Sequence, residues 1–117
     1  MIDPVSLAVV ALARALAAHG FRRDRPAFVI WEGVTTYLGV AATDRVLRWL
    51  AASCAAGTRV VFDFGSQFFD PETVVDHTAR AGFAACEAHG GDALWRRYLA
   101  GEPHPGASMF RVAIARR

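Results

Sequence analysis

The sequence contains few cysteines, and they are poorly placed for a disulfide framework or a metal site. Cys54 and Cys86 are the only two among 117 residues, they lie far apart, and no CxxC pair is present. Structural zinc sites and disulfide frameworks need several ligands at short, characteristic spacings, and the four histidines show no such spacing either. We therefore predict two buried free thiols and no metal site.

Lysine is absent, and basic charge is limited. Every basic residue is an arginine, the net charge is only +2, and acidic residues are interspersed along the chain. Nucleic-acid-binding domains carry strongly clustered basic charge. The densest basic spot here is the short Arg-Arg-Asp-Arg stretch at residues 22–25, which is typical of a solvated loop. We expect no nucleic-acid partner.

The sequence also lacks a long hydrophobic run. No uninterrupted apolar stretch reaches the roughly 18 residues of a membrane span. The apolar stretch at residues 5–18 contains Arg14 and has no basic leader, so it does not have the pattern of a signal peptide. We therefore expect a cytoplasmic protein with no membrane partner.

The residues that are present favour a folded α/β protein. Hydrophobic residues make up 54% of the chain, and the length suits one compact domain, which we assign to residues 1–117. Short continuous apolar runs, typical of strands buried on both faces of a parallel sheet, alternate with stretches of helical periodicity. The predicted helices are 4–18, 41–56, 71–80 and 92–100, and the predicted strands are 27–31, 58–64, 83–88 and 108–115. Asp3 and Asp70 are the predicted caps of the first and third helices.

A carboxylate stands directly after the first predicted strand. In open α/β sheets, ligands bind at the carboxyl ends of the strands, and a carboxylate there needs a cation or hydrogen-bond donors. Glu32 occupies this position, Gly33 allows the backbone to approach a ligand closely, and Tyr37 adds a hydroxyl. Spacing alone favours a simpler alternative, in which Glu32 caps the next turn or pairs with a loop arginine and Tyr37 is a core residue.

The residue order of this segment resembles that of a known family motif. Residues 31–38, Trp-Glu-Gly-Val-Thr-Thr-Tyr-Leu, resemble the EGV-x-x-YL motif of the leucine carboxyl methyltransferases. Weaker similarities occur in the family's order, at residues 18–21 and 25–28 before the motif and at residues 56–63, 81–83 and 106–115 after it. The resemblance implies half of a class I methyltransferase (Rossmann-like) sheet, the carboxy-terminal half, with four strands, the last one antiparallel, and helices on both faces.

The resemblance also implies a function and site residues. It implies an S-adenosylmethionine-dependent O-methyltransferase whose acceptor is a carboxyl or hydroxyl group, with Glu32 and Gly33 contacting the cofactor and Tyr37 on the substrate side. A carboxylate acceptor is already ionised, so positioning would suffice, whereas a hydroxyl acceptor would need a base. His77 is a candidate base only in principle, because it lies in the middle of a predicted helix, where we expect it at the surface. Ser66 and Gln67 follow the second strand, at the ligand-facing rim.

One expected part of such an enzyme is missing from the sequence. No Gly-x-Gly follows a strand, although the family's first strand and glycine-rich turn should precede the motif. We therefore expect an incomplete cofactor site, no activity from this chain alone, and an unpaired strand edge at residues 27–31. Exposed edges pair with other chains, so we expect a homodimer or a complementing amino-terminal half. The alternative is a non-catalytic binding or assembly module derived from this fold; a hydrolase lacks support because no Gly-x-Ser-x-Gly is present.

Overall fold

The computed structural model describes residues 4–65 and 71–117, in which four helices and four strands alternate along the chain. The helices are α1 (Pro4–Ala18), α2 (Thr35–Ser53), α3 (Pro71–Ala81) and α4 (Gly91–Tyr98). The strands are β1 (Phe28–Trp31), β2 (Arg59–Gly65), β3 (Ala85–Gly90) and β4 (Phe110–Arg116). The predicted caps Asp3 and Asp70, and the predicted rim residues Ser66 and Gln67, lie outside the described residues.

The four strands form one mixed sheet in the order β1-β2-β4-β3. β1 and β2 run parallel, and their register places Trp31 beside Phe62. β4 lies between β2 and β3 and is antiparallel to both. The predicted α/β class and the antiparallel last strand are confirmed, and β1 forms an edge of this sheet.

One face of the sheet carries the hydrophobic core. Alternate residues of β2 and β4 point to this face, where α2 and α3 cover them. Phe62 lies at its centre, 1% exposed, with its ring centroid 5.9 Å from that of Trp31 and 6.1 Å from that of Phe64. The other buried apolar residues are Leu47, Leu50, Ala51, Cys54, Val60, Val74, Phe83, Ala113 and Ala115.

The opposite face, which we call the open face, is covered only in part. α4 packs over β3 and β4, so helices lie on both faces as predicted. No described helix lies over β1 and β2 on this side, and Phe28 and Ile30 are 64% and 67% exposed. The prediction that the first strand is buried on both faces is therefore wrong for the described chain, because Phe28 and Ile30 on the open face are mostly exposed.

Helix α2 begins earlier than predicted and contains a kink. The periodic apolar residues predicted a start near residue 41, whereas α2 runs from Thr35 and is interrupted at Gly39. Gly39 has φ 77° and ψ 176°, a region that essentially only glycine occupies. The turn at residues 35–38 can therefore follow β1 at once, while the long part of the helix packs on the sheet.

We expect Gly39→Ala to destabilise the protein by about 1–3 kcal/mol, because a Cβ is strained in this conformation. Urea unfolding followed by circular dichroism measures the loss. Gly90→Ala is the matched control: Gly90 has φ −73°, and no atom lies within 4 Å of the position of an added Cβ. Equal stability of the two variants would mean that the kink is not required.

Candidate functional site

Two carboxylates lie level with each other near the carboxyl ends of β1 and β2. Glu32 directly follows β1, and Asp63 lies one position beyond the Trp31–Phe62 pair, so the two acids are level across the parallel strands. They share a shallow cavity of about 220 Å³ on the open face. Its lining residues are Ile30, Trp31, Glu32, Val61, Phe62, Asp63 and Val112. Glu32 thus lies at the sheet end where open α/β sheets bind ligands.

The loop that carries Glu32 is held in place by Asp63. The Gly33 amide donates a hydrogen bond to Asp63 Oδ1 at 2.8 Å, and the Thr35 hydroxyl donates to the Asp63 carbonyl oxygen at 2.7 Å. Thr35 is only 2% exposed, and Gly33 has φ 73°. Glu32 is therefore positioned between the end of a strand and a doubly hydrogen-bonded turn.

The cavity is acidic. Glu32 is exposed and Asp63 is half-buried, and neither forms a salt bridge with any residue in the described ranges. The simpler alternative, in which a loop arginine neutralises Glu32, is thus not realised in that part of the chain. An acidic cavity of this kind favours a ligand that carries positive charge or several hydrogen-bond donors.

Tyr37 lies near this cavity in sequence but does not line it. Its side chain is 87% exposed in the first turn of α2, so the alternative that Tyr37 is a core residue is wrong. Val34 and Leu38 of the same segment line a second cavity of about 320 Å³ against α1, and Trp31 lines both cavities. Glu32 therefore contributes to a different cavity from Val34 and Leu38.

The remaining polar candidates lie outside the Glu32 cavity. His77 was expected at the surface, but its side chain is mostly buried, with Nδ1 2.7 Å from Asp44 Oδ1, so it joins α3 to α2. Cys54 is buried and Cys86 is half-buried, and both are free thiols. Burial raises the pKa of each. Over residues 4–65 and 71–117, no group of three potential ligands could hold a metal ion.

Sequence reasoning did not identify Asp63 as a site residue. The residue ends the stretch at residues 56–63, which resembles the leucine carboxyl methyltransferases. The available signal was its position, an acid near the carboxyl end of a strand that pairs in parallel with the strand before Glu32. Recognising it required the register of β1 and β2.

We expect Asp63→Ala to loosen the Glu32 loop. Losing one net hydrogen bond costs about 1 kcal/mol, so hydrogen exchange at the Gly33 amide should accelerate about fivefold. NMR-detected exchange measures the change, with the Val60 and Phe62 amides as internal references for the sheet. Asp63→Asn keeps an acceptor oxygen and should be closer to wild type. Unchanged exchange at Gly33 in Asp63→Ala would show that Asp63 does not hold this loop.

Comparison with known proteins finds similarity to the same family that the motif resembles. The sequence model of the leucine carboxyl methyltransferase family matches residues 3–51, a segment that includes Glu32, Gly33 and Tyr37. The predicted resemblance to the leucine carboxyl methyltransferases is confirmed. A protein of Mycobacteroides abscessus, named "Putative S-adenosyl-L-methionine-dependent methyltransferase", is 42% identical over 67 residues. This match covers 56% of the chain but only 21% of the M. abscessus protein.

A solved structure shares the fold. The crystal structure of a protein from Bordetella parapertussis, described as a possible exported protein, covers 98% of the chain with a TM-score of 0.53 and 16% identity. The chain spans 51% of that protein. At this identity the similarity concerns the arrangement of helices and strands alone. Within the described residues, no helix is both long and apolar enough to span a membrane.

Proposed function

We propose that this chain is part of an S-adenosylmethionine-dependent O-methyltransferase that acts on a carboxyl or hydroxyl acceptor. Its sheet would be the carboxy-terminal half of a Rossmann-like class I methyltransferase sheet. The observation that carries the proposal is the position of Glu32, at the carboxyl end of an edge strand, on a loop held by Asp63, inside the segment that matches the family. The strand order β1-β2-β4-β3, with β4 antiparallel, agrees with this assignment.

The residues present fit the cofactor chemically. S-adenosylmethionine supplies a methyl group on a positively charged sulfonium, and it also offers ammonium and hydroxyl donors. Glu32, an acid with no partner among the described residues, would accept hydrogen bonds from such donors. The Gly33 backbone, with no Cβ, would allow close approach at the same point.

Tyr37 would contact the methyl acceptor rather than the cofactor. Its hydroxyl belongs to an exposed side chain in the turn after Gly33, so it is accessible to a second molecule approaching the strand ends. An ionised carboxylate acceptor would need only orientation and exclusion of water. A hydroxyl acceptor would need a base, and none lines the Glu32 cavity except the two carboxylates.

The cofactor site would be completed by residues outside this chain. The sequence has no glycine-rich turn after a strand, and only the ends of β1 and β2 line the candidate cavity, together with Val112. We therefore propose that the isolated chain neither binds the cofactor tightly nor transfers methyl groups. Activity would require an amino-terminal half that contributes the missing turn, because a second copy of the same sequence has no such turn either.

The test is a chimera that joins the amino-terminal half of the M. abscessus relative to this chain. The chimera should bind S-adenosylmethionine in isothermal titration calorimetry, and the chain alone should not. With tritiated methyl donor and a panel of carboxylic acids and phenols, base treatment should release methanol from methyl esters but not from ethers, which identifies the acceptor class. Tight binding by the chain alone would contradict the incomplete site, and a folded chimera without binding would contradict the proposed function.

A further inference from the structure

The outer edge of β1 and the neighbouring part of the open face form one continuous surface, which combines unpaired backbone groups with exposed apolar side chains. Among the described strands, β1 pairs with β2 alone, so its other edge presents free N–H and C=O groups. Phe28 and Ile30 extend from the same strand and are about two-thirds exposed. The apolar surface continues along the half-buried side chains of Val61 and Ile114.

We infer that this surface docks one partner segment: a right-handed strand–helix–strand unit whose first strand adds parallel to β1 and whose helix covers Phe28 and Ile30. The identity of the partner rests on the proposed function: it is the amino-terminal half of a methyltransferase domain. A single partner of this kind would both pair with the strand edge and cover the apolar face.

The handedness of parallel connections determines which face the partner's helix covers. Nearly all strand–helix–strand crossovers between parallel strands are right-handed. The unit β1-α2-β2 moves across the sheet in one direction and places α2 on the core face. A unit that extends the sheet from β1 in the opposite direction must therefore place its helix on the opposite face, which is the open face.

A second copy of the chain does not meet both requirements. A two-fold axis perpendicular to the sheet would pair two β1 edges in antiparallel fashion, but both open faces would remain on the same side and uncovered. A two-fold axis that stacks the two open faces would cover Phe28 and Ile30. The two β1 edges would then lie in separate layers about 10 Å apart and would remain unpaired.

The same docking would bring a new strand end to the acidic cavity. The carboxyl end of a strand parallel to β1 lies at the same sheet edge as Glu32, and the helix that follows it begins there with free backbone amides. This chain spans only 51% of the solved B. parapertussis protein, so that protein contains enough additional residues to form such a unit. The partner would thus supply donors directly beside the Glu32 and Asp63 carboxylates.

The experiment is co-expression of the full chain with the tagged amino-terminal half of the M. abscessus relative. We expect co-purification at 1:1 stoichiometry and hydrogen exchange at residues 28–31 at least about tenfold slower than in the chain alone. Ile30→Glu should abolish co-purification without unfolding the chain, since that side chain is exposed. Val75→Glu is the matched control, because Val75 is an exposed valine of α3, outside this surface, and it should co-purify normally.

Three results would overturn the inference. The first is a stable dimer of the chain alone, with residues 28–31 protected, since a second copy would then occupy the surface. The second is co-purification that Ile30→Glu leaves unchanged, and the third is failure of the wild-type chain to co-purify. Calorimetry with S-adenosylmethionine on the complex separates the two proposals: a 1:1 complex that binds no cofactor would retain the docking surface and remove the proposed function.

Discussion

Glu32→Gln is expected to weaken S-adenosylmethionine binding by the chimera about 10- to 100-fold. Hydrogen bonds to a charged group contribute about 1.5–3 kcal/mol, and the amide removes the charge while keeping the shape of the side chain. The effect should be confined to the cofactor, because Glu32 is exposed and forms no salt bridge with any described residue that would be lost. Calorimetry of wild-type and variant chimeras gives the ratio directly.

The control for this experiment is the same substitution at Glu102. Glu102 is an exposed glutamate in the segment between α4 and β4, and it does not line the acidic cavity. Glu102→Gln should bind the cofactor as the wild type does. Tyr37→Phe should leave cofactor affinity unchanged and alter only the kinetics of the acceptor. Equal affinities for wild type and Glu32→Gln would remove Glu32 from the cofactor site.

The second large effect concerns stability. Phe62→Ala is expected to lower the free energy of unfolding by about 3–5 kcal/mol, because it removes a fully buried ring from the centre of the core face. Phe62 is 1% exposed and contacts the rings of Trp31 and Phe64. Urea titration monitored by far-ultraviolet circular dichroism measures the shift, and loss of the folded baseline counts as the upper end of the range.

Phe28→Ala provides a matched comparison on the neighbouring strand. Phe28 is 64% exposed on the open face, so the same truncation should cost less than about 1 kcal/mol in the isolated chain. The pair of variants therefore tests the orientation of the sheet. If Phe28→Ala were as destabilising as Phe62→Ala, the open face would be covered in solution.

The sequence was sufficient to predict the order of elements, for reasons that particular residues make clear. The runs at 27–31 and 58–64 lie between polar turns and are too short for helices, so they predict strands. The predicted bounds agree with β1 and β2 to within one residue at each end. Phe83 shows the limit of such patterns. It was predicted to begin the third strand, but it lies before β3. Its amide donates a hydrogen bond to the Thr78 carbonyl oxygen, and its side chain is buried in the core. An apolar side chain in a core contact and one in a strand give the same local signal.

The candidate site was only partly predictable. Glu32 and Gly33 could be identified because they follow an apolar strand directly. The kink at Gly39 could not, since a glycine within helical periodicity is compatible with a regular helix. The role of Asp63 depends on the pairing between two strands about 30 residues apart, as the Gly33 hydrogen bond shows. Local spacing contains no information about such register.

The most direct test of the central claim is an NMR titration of ¹⁵N-labelled chain with S-adenosylmethionine, alone and in complex with the amino-terminal half of the M. abscessus relative. We predict that the Gly33 amide resonance stays fixed in the isolated chain at millimolar ligand and shifts in a saturable way in the complex. Saturable binding to the complex with no change at Gly33 would place the cofactor elsewhere and contradict the account.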